Sequence, residues 1–474
     1  MITRLRAENF KSWKDTGDLH LGRLTGLFGT NSSGKTSILQ ILPLLKQTAE
    51  FQDRNRVLYT GKDDSPVYLG TFQEVVHGHQ PNAALTLSFK WRQTEPPSLI
   101  NLGTPSDEIL QILHEPEFSF RTSITQRGEG PVVDSFEYEL GQQVFGMRRN
   151  DDGSYMLIHR PGNLVTGGLG LDLRSLFPIG TDPNLEKIPF ESPVKCYGFP
   201  PEAGMYFDGL RDTAPRERWV QVKESEIGRP KYRGLPALQL AFENMFGRVH
   251  YLGPIRSYPR RVYEWGGEKP LDTGWDGDET VAALLASRTV SQVAKWLQEM
   301  KLIHSFRLES VGESQTIYQC HVKTTPTATE VLLPDVGFGV SQILPVLADC
   351  AMLPEGSTLL LEQPEIHLHP FAQAALADIL IDAIRNRNLQ IVVESHSEHL
   401  LRRIQRRIAR EVIYRDDVAL YFCHLENGSS AIEELDVDAY GNIRNWPTDF
   451  FGDEMGELAD MTVAAMERQK AGRR

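Results

Sequence analysis

The sequence has no long hydrophobic run. Nowhere do about 18 uncharged apolar residues follow one another, which excludes a membrane-spanning helix. Cysteine is scarce: Cys196, Cys320, Cys350 and Cys423 lie far apart with no C-x-x-C pair. That spacing argues against a zinc ribbon and suits small buried thiols kept reduced in a cytosol. Positive charge is in deficit, 50 Lys and Arg against 63 Asp and Glu, for a net charge of −13. The molecule as a whole therefore repels nucleic acid, and binding to it needs a local basic patch or a basic partner. The opening "MITRLRAENFKSW" lacks the apolar core of a signal peptide, so the expected location is the cytoplasm. No repeat period and no long low-complexity tract interrupts the chain.

What is present is ordinary in bulk, with 40% apolar and 24% charged residues, so the fold has to be read from pattern. A length of 474 residues implies two or three domains, or one inserted into another. "ITRLRAENF" and "GDLHLGRLTGLFG" read as strands, the second running into a glycine-rich turn and the apolar helix "TSILQILPLLKQTA". From about residue 51 to 244 the texture changes to short strands ("AALTLSFKW", "FEYELGQQVFGMRR", "YMLIHRP") between Pro, Gly, Asn and Asp clusters, a β-rich or mixed insertion with one helical piece near its end. Residues 245–430 return to alternating helices and strands, among them "ETVAALLASRTVSQVAKWLQEMKL", "STLLLEQ", "LQIVVES" and "VALYFCHLE". Such alternation predicts a largely parallel sheet covered on both faces. Residues 431–474 form a turn-rich tail with a charged helix.

"GTNSSGKT", Gly29 to Thr36, matches G-x-x-x-x-G-K-[ST] in full and stands between a strand and a helix, the context a phosphate loop requires. Glycines let the backbone wrap the β-phosphate, and successive N–H groups point inward at the helix N-terminus. Asn31, Ser32, Ser33, Gly34, Lys35, Thr36 and Ser37 are the expected ATP-binding residues. Lys35 reaches the β- and γ-phosphates, and Thr36 places its hydroxyl on Mg²⁺.

"LLLEQPEIHLHP" supplies the second element, an apolar strand that ends in Glu362 and can hold a carboxylate beside hydrated magnesium. Gln363 follows where a glutamate usually activates the attacking water. An amide orients water but does not take its proton, so turnover is expected to be slow unless another base contributes. Glu365 is the nearest acid, and both a base and a turn carboxylate beside Pro364 fit it. His367 and His369 are spaced i, i+2 with no further ligand at familiar spacing, which disfavours a metal site there. His396, directly after "IVVES", is placed to hydrogen-bond a γ-phosphate.

Taken in order, "NFKSWKDTGDLHLGRLTGLFGTNSSGKTSILQILPLLKQTAE", "YLGPIRSYPRRVYEWGG", "DVGFGVSQILPVL", "LLLEQPEIHLHP", "VESHSEHLLRRIQRRI" and "DAYGNIRNWPTDFF" resemble the ABC-type ATPase heads of the RecF, SMC and OLD group. In particular the chain resembles bacterial AAA-family ATPases that end in a short conserved domain of unknown function and occur in anti-phage defence loci. The resemblance implies an α/β P-loop head, split into residues 1–50 and 245–430, that carries the inserted region and dimerises around ATP and Mg²⁺. It also implies a signature loop, "DVGFGVSQ", that reaches the γ-phosphate held by the opposite subunit. Gly339 matches the glycine of that loop; Gly337 stands where a serine is usual, leaving Ser341 as the hydroxyl or none at all. By order along the chain Gln73 corresponds to a magnesium-contacting glutamine, beside Thr36 and Glu362, and His396 to the switch histidine. The implied role is control of a partner effector such as a nuclease.

"LLRRIQRRIAR" puts Arg402, Arg403, Arg406, Arg407 and Arg410 at spacings of three and four, a basic face that suits either DNA phosphates or local acids. A RecF-like DNA-binding ATPase and a scaffold that holds ATP without turnover are the alternatives. About 50 residues after the last sheet strand leave no room for a Toprim nuclease body, although "DVD" at Asp436 to Asp438 has its D-x-D form.

Overall fold

The computed structural model describes residues 1–93, 117–128, 130–141, 143–160, 192–200, 234–312 and 316–447, with fragments of 461–468. Parts of the expected insertion and most of the expected charged tail helix lie outside these residues. The chain divides into two compact units, one of residues 1–21, 37–251 and 356–358, the other of 22–36, 252–355 and 359–474.

In the first unit, eight strands among the described residues form one sheet in the order β2-β1-β5-β6-β7-β8-β9, with β3 also on β1. They are β1 (Ile2–Phe10), β2 (Trp13–Asp15), β3 (Leu19–His20), β5 (Leu85–Arg92), β6 (Glu117–Arg127), β7 (Gly130–Leu140), β8 (Gln143–Arg149) and β9 (Tyr155–Arg160). Alternation predicts one buried face: Leu85, Leu87, Phe89 and Trp91 of β5 and Phe118, Phe120, Thr122 and Ile124 of β6 are all buried. The helix Gly234–Phe246 closes that face, with Phe242 edge-on to Phe120 at 4.8 Å between ring centroids and Phe246 to Phe89 at 5.7 Å. The chain changes unit at residues 21/22 and 36/37, and β1 pairs antiparallel with β5, so the first strands and the strand-rich region share one sheet.

The second unit is built around β4 (Leu24–Gly29), flanked by β16 (Gln390–Glu394) and β17 (Val418–Glu426), both parallel to it. β15 (Thr358–Glu362) lies beyond β16, and β18 (Ser429–Glu434) pairs antiparallel with β17. Every residue of β4, β15 and β16 is buried, as strands covered on both faces require. Helices Phe338–Met352, Pro370–Arg387 and Glu398–Ala409 supply the cover, contributing Ile343, Leu347, Leu376, Leu380, Leu401 and Ile404 to the core. A small sheet of β11 (Tyr263–Glu264), β12 (Ser305–Ser310), β13 (Ile317–Lys323) and β14 (Val331–Leu332) belongs to the same unit. The segment read as one helix, Glu279 to Leu302, is two, Thr280–Ser287 and Val290–Glu299. Arg288 adopts a left-handed φ of 59°, and the Ser287 hydroxyl bonds back to the Ala283 carbonyl, which together end the first. Among the described residues no helix is long and apolar enough to cross a membrane.

Candidate functional site

The phosphate loop leaves β4 at the middle of the parallel strands and enters α1 (Lys35–Glu50), a helix of 16 residues. Gly29 has φ +135°, and a Cβ there would lie 1.9 Å from the Cys423 carbonyl oxygen on β17, so glycine alone is accommodated. Gly34 at φ 89° and Ser32 at φ 60° complete the turn that bends the chain back over the strand end. Asn31 and Ser32 are exposed, Ser33 and Lys35 are buried, and Ser37 is buried in the first turn of α1.

Lys35 Nζ sits inside the loop, donating to the carbonyls of Gly29 at 3.2 Å and Thr30 at 2.7 Å and to Ser33 Oγ at 3.4 Å. Burial lowers its pKa, and the carboxylate of Glu394 works against that shift. The Thr36 hydroxyl meets the same Glu394, at 3.0 Å from one oxygen and 2.8 Å from the other. Glu394 ends β16 and is 2% exposed. Its burial raises its pKa, offset by Thr36, by Lys35 and by the Gln363 side-chain amide, which faces the carboxylate.

On β15, Glu362 is buried at the strand end, and its carbonyl accepts from Arg256 Nη2 at 3.0 Å. Arg256 is almost fully enclosed; desolvation brings its pKa down to about 10, and the charges of Glu365 and Glu362 hold it up. Gln363 turns with φ 43°, its N–H donating to the Glu394 carbonyl at 2.9 Å. Glu365 is buried, its Oε1 accepting the His396 N–H at 2.8 Å, while among the described residues its enclosed Oε2 has no hydrogen-bond partner. Burial pushes the Glu365 carboxyl above the usual carboxylate range. His396 is exposed, and desolvation, then the Lys35 charge, lowers its pKa, which favours a neutral imidazole at pH 7.

The structure thus joins Lys35, Thr36 and Gln363 through Glu394, and joins Glu365 to His396 separately. Glu394 did not emerge as a site residue from the sequence. Glu394 carried a usable signal: "LQIVVE" ends an all-buried strand in an acid, as "TLLLE" does. Gln73 belongs to the first unit, in the short helix Phe72–Val75, where its amide donates to the His79 carbonyl at 3.2 Å.

The signature segment starts the helix Phe338–Met352 with Gly337 at its N-cap. A Cβ on Gly337 would meet nothing within 4 Å, whereas one on Gly339 would lie 2.7 Å from the His367 carbonyl oxygen. The glycine at 339 therefore has a cause within this chain. Ser341 is buried, and its hydroxyl donates to the Phe338 carbonyl at 2.8 Å. Phe338 is 40% exposed and lies edge-on to the His367 ring.

Much of the basic face on helix Glu398–Ala409 is spent inside the unit. Arg407 forms a fork with Asp378 at 2.6 and 2.8 Å, Arg403 also pairs with Asp378, and Arg402 bonds Glu398 and lies over the Trp446 ring. Arg406 and Arg410 are exposed. Asp438 is a turn residue, accepting the N–H groups of Tyr440 and Asn442.

Among the described residues no group of three or more His, Cys, Asp or Glu is placed to hold a metal by itself. This agrees with a magnesium ion that takes a threonine hydroxyl, one or two carboxylates and nucleotide phosphates. A lysine cradled by loop carbonyls, a helix N-terminus and a threonine hydroxyl against a carboxylate suit ATP with Mg²⁺, held by Gly34, Lys35 and Thr36.

Residues 292–402 match the model of an AAA domain described as a putative AbiEii toxin of a type IV TA system, and residues 413–461 match a protein of unknown function, DUF3696. No curated protein matches the chain. Among solved structures, an SMC head bound to the C-winged helix domain of ScpA is similar with 13% identity and a TM-score of 0.41, over 92% of this chain and 98% of that one. The SMC head domain from Thermotoga maritima is similar with 11% identity and a TM-score of 0.38, over 92% and 99%. The phosphate loop and the buried acid strand thus accompany a segment similar to an AAA domain and, after it, one similar to a domain of unknown function.

Proposed function

We propose that this ATPase is a slow conformational switch: it binds ATP and Mg²⁺, dimerises around them and controls a partner effector, a nuclease, in bacterial anti-phage defence in the cytoplasm. The observation that carries nucleotide binding is the buried Lys35 amine at the centre of the phosphate loop, with Thr36 opposite a carboxylate. When bound, magnesium neutralises charge that develops on the phosphates. The chain's own residues then divide the work. Loop N–H groups and Lys35 hold the phosphates, the neutral imidazole of His396 donates to the γ-phosphate, and Glu365 is the carboxylate nearest to act as base on the attacking water.

Slow turnover is supported by Gln363, an amide turned toward Glu394, and by Glu365, half of whose carboxylate already holds the His396 N–H. Dimerisation is supported by the exposed Phe338 at the signature helix, where Gly337 leaves backbone bare for a phosphate held by a second copy. The matched model's description, a putative AbiEii toxin of a type IV TA system, supports action through a partner. The amide at Gln363 also favours a second reading, a scaffold that retains ATP without turnover.

The test is phosphate release and size in solution, with and without ATP and Mg²⁺, for wild type and Lys35→Ala. ATP-dependent dimers and slow release, both lost in Lys35→Ala, are expected. Failure of the wild type to bind ATP sinks the proposal, and stoichiometric retained ATP without release selects the scaffold.

A further inference from the structure

Glu394 is difficult to explain as a structural residue. A carboxylate removed from water costs several kcal/mol unless charged partners replace its hydration. Yet the donors it meets are neutral, the Thr36 hydroxyl and the Gln363 amide. The cation whose field reaches it, Lys35, has its amine on the carbonyls of Gly29 and Thr30. A threonine hydroxyl in a helix's first turn needs no ionised acceptor; a backbone carbonyl or water serves as well. Thr36 donates to both oxygens of this carboxylate, so the acid is centred on the hydroxyl.

The strand positions explain how an acid comes to stand there. Glu394 aligns with Leu27 on β4, two residues before the loop begins, and the Ser395 N–H continues the ladder to the Leu27 carbonyl at 3.0 Å. The end of β16 is therefore anchored to the strand from which the phosphate loop springs. On the other side, Gln363 is fixed to the same residue by its own N–H, which donates to the Glu394 carbonyl. A glutamate at 363 would face the Glu394 carboxylate across this contact, and two ionised carboxylates so close repel. The amide donates instead.

We propose that Glu394 is the carboxylate that takes the nucleotide-bound Mg²⁺ together with Thr36, directly or through one water, and that Gln363 is an amide because it positions Glu394. In this chain the acid stands on the neighbouring strand, and the glutamine is its support. The inference rests on the ATP–Mg²⁺ reading and adds a ligand that the P-loop and acid-strand patterns do not contain.

The test uses Mn²⁺ in place of Mg²⁺, followed by electron paramagnetic resonance on the full chain with ATP. Affinity for ATP without metal and thermal unfolding are measured alongside. Glu394→Gln is expected to bind metal-free ATP as the wild type does and to hold Mn²⁺ in the ternary complex about 10–100-fold less tightly. Moving the acid back, in Glu394→Gln with Gln363→Glu, is expected to recover most of that loss, which a purely structural role would not produce. Where Glu394→Gln does not fold, Glu394→Asp carries the measurement, retaining the charge while shortening its reach. Unchanged Mn²⁺ affinity in the single variant, with ATP binding intact, overturns the inference and spares the reading of function. A wild type that binds no ATP overturns both.

Discussion

The main-chain N–H of His396 donates to Glu365 Oε1 at 2.8 Å, which ties the turn after the acid strand to the residue proposed to meet the γ-phosphate. Because the donor is backbone, Glu365→Gln can keep that bond through its amide oxygen while losing the capacity to accept a proton. Nucleotide binding is expected to remain, and phosphate release to fall by roughly 10²–10⁴-fold. Release assays with a fluorescent phosphate sensor decide it; wild-type turnover in Glu365→Gln removes Glu365 from the chemistry.

Lys35→Ala removes the amine that fills the loop. Ligands that bind only the folded state raise stability in proportion to saturation. The wild type is expected to melt higher in ATP and Mg²⁺, by about 2.7 kcal/mol of added stability at a hundredfold excess over Kd. In Lys35→Ala this increment is expected to vanish, as scanning fluorimetry would show. An equal ATP response in both proteins would place the nucleotide elsewhere.

The two signature glycines are expected to respond differently. Gly339→Ala drives a Cβ onto the His367 carbonyl and is expected to cost about 1–3 kcal/mol. Gly337→Ser meets open space and is expected to change stability by less than about 0.5 kcal/mol. Chemical denaturation of the pair checks the contrast, and equal costs would refute it.

Asp349 gives a pH signature. It is buried in helix Phe338–Met352 and accepts from the N–H and hydroxyl of Thr273 at 3.0 and 2.9 Å, but desolvation still raises its pKa well above 3.8. A carboxyl whose folded pKa exceeds its unfolded value stabilises most below the unfolded pKa and loses that contribution as pH rises through the folded one. Asp349→Asn lacks this loss. Its melting temperature relative to wild type is expected to rise as pH climbs above about 4, the unfolded value of an aspartate. A flat difference would mean the group is charged in the fold throughout.

The Arg407–Asp378 fork is partly enclosed, with side chains 24% and 30% exposed, so Asp378→Asn is expected to cost about 1 kcal/mol. Replacing the exposed Arg406 and Arg410 with alanine is expected to leave stability unchanged. If DNA binds this face, that double variant flattens the salt dependence of binding. No change there would take the face out of any DNA contact.

Much of the second unit was legible because local rules and the fold agree. The strands "LTGLFG", "TLLLE" and "QIVVE" are apolar throughout and sit in a parallel sheet buried on both faces. The phosphate loop was legible because its glycines answer backbone demands, such as the Cys423 carbonyl beside Gly29. The split of "ETVAALLASRTVSQVAKWLQEMKL" was not, since its apolar spacing runs on through a left-handed Arg288. Nor was the sheet of the first unit, because pairing of β1 with β5 joins residues some 80 positions apart that no local pattern links.

The sequence by itself determined the chemistry available: a phosphate loop, an acid at a strand end, an amide in place of a second acid and a histidine after the next strand. These are runs of adjacent residues, and their spacing carries them. Only the tertiary structure decided which groups meet. Parallel pairing of β16 with β4 brings Glu394 to Thr36 from 358 residues away, and the turn at Gln363 delivers its amide to the same carboxylate. It also closed Arg403 and Arg407 onto Asp378, turning part of a basic face on paper into internal ion pairs. The reason is physical: a side chain's type is local, whereas its partner is set by strand register and helix packing between distant segments.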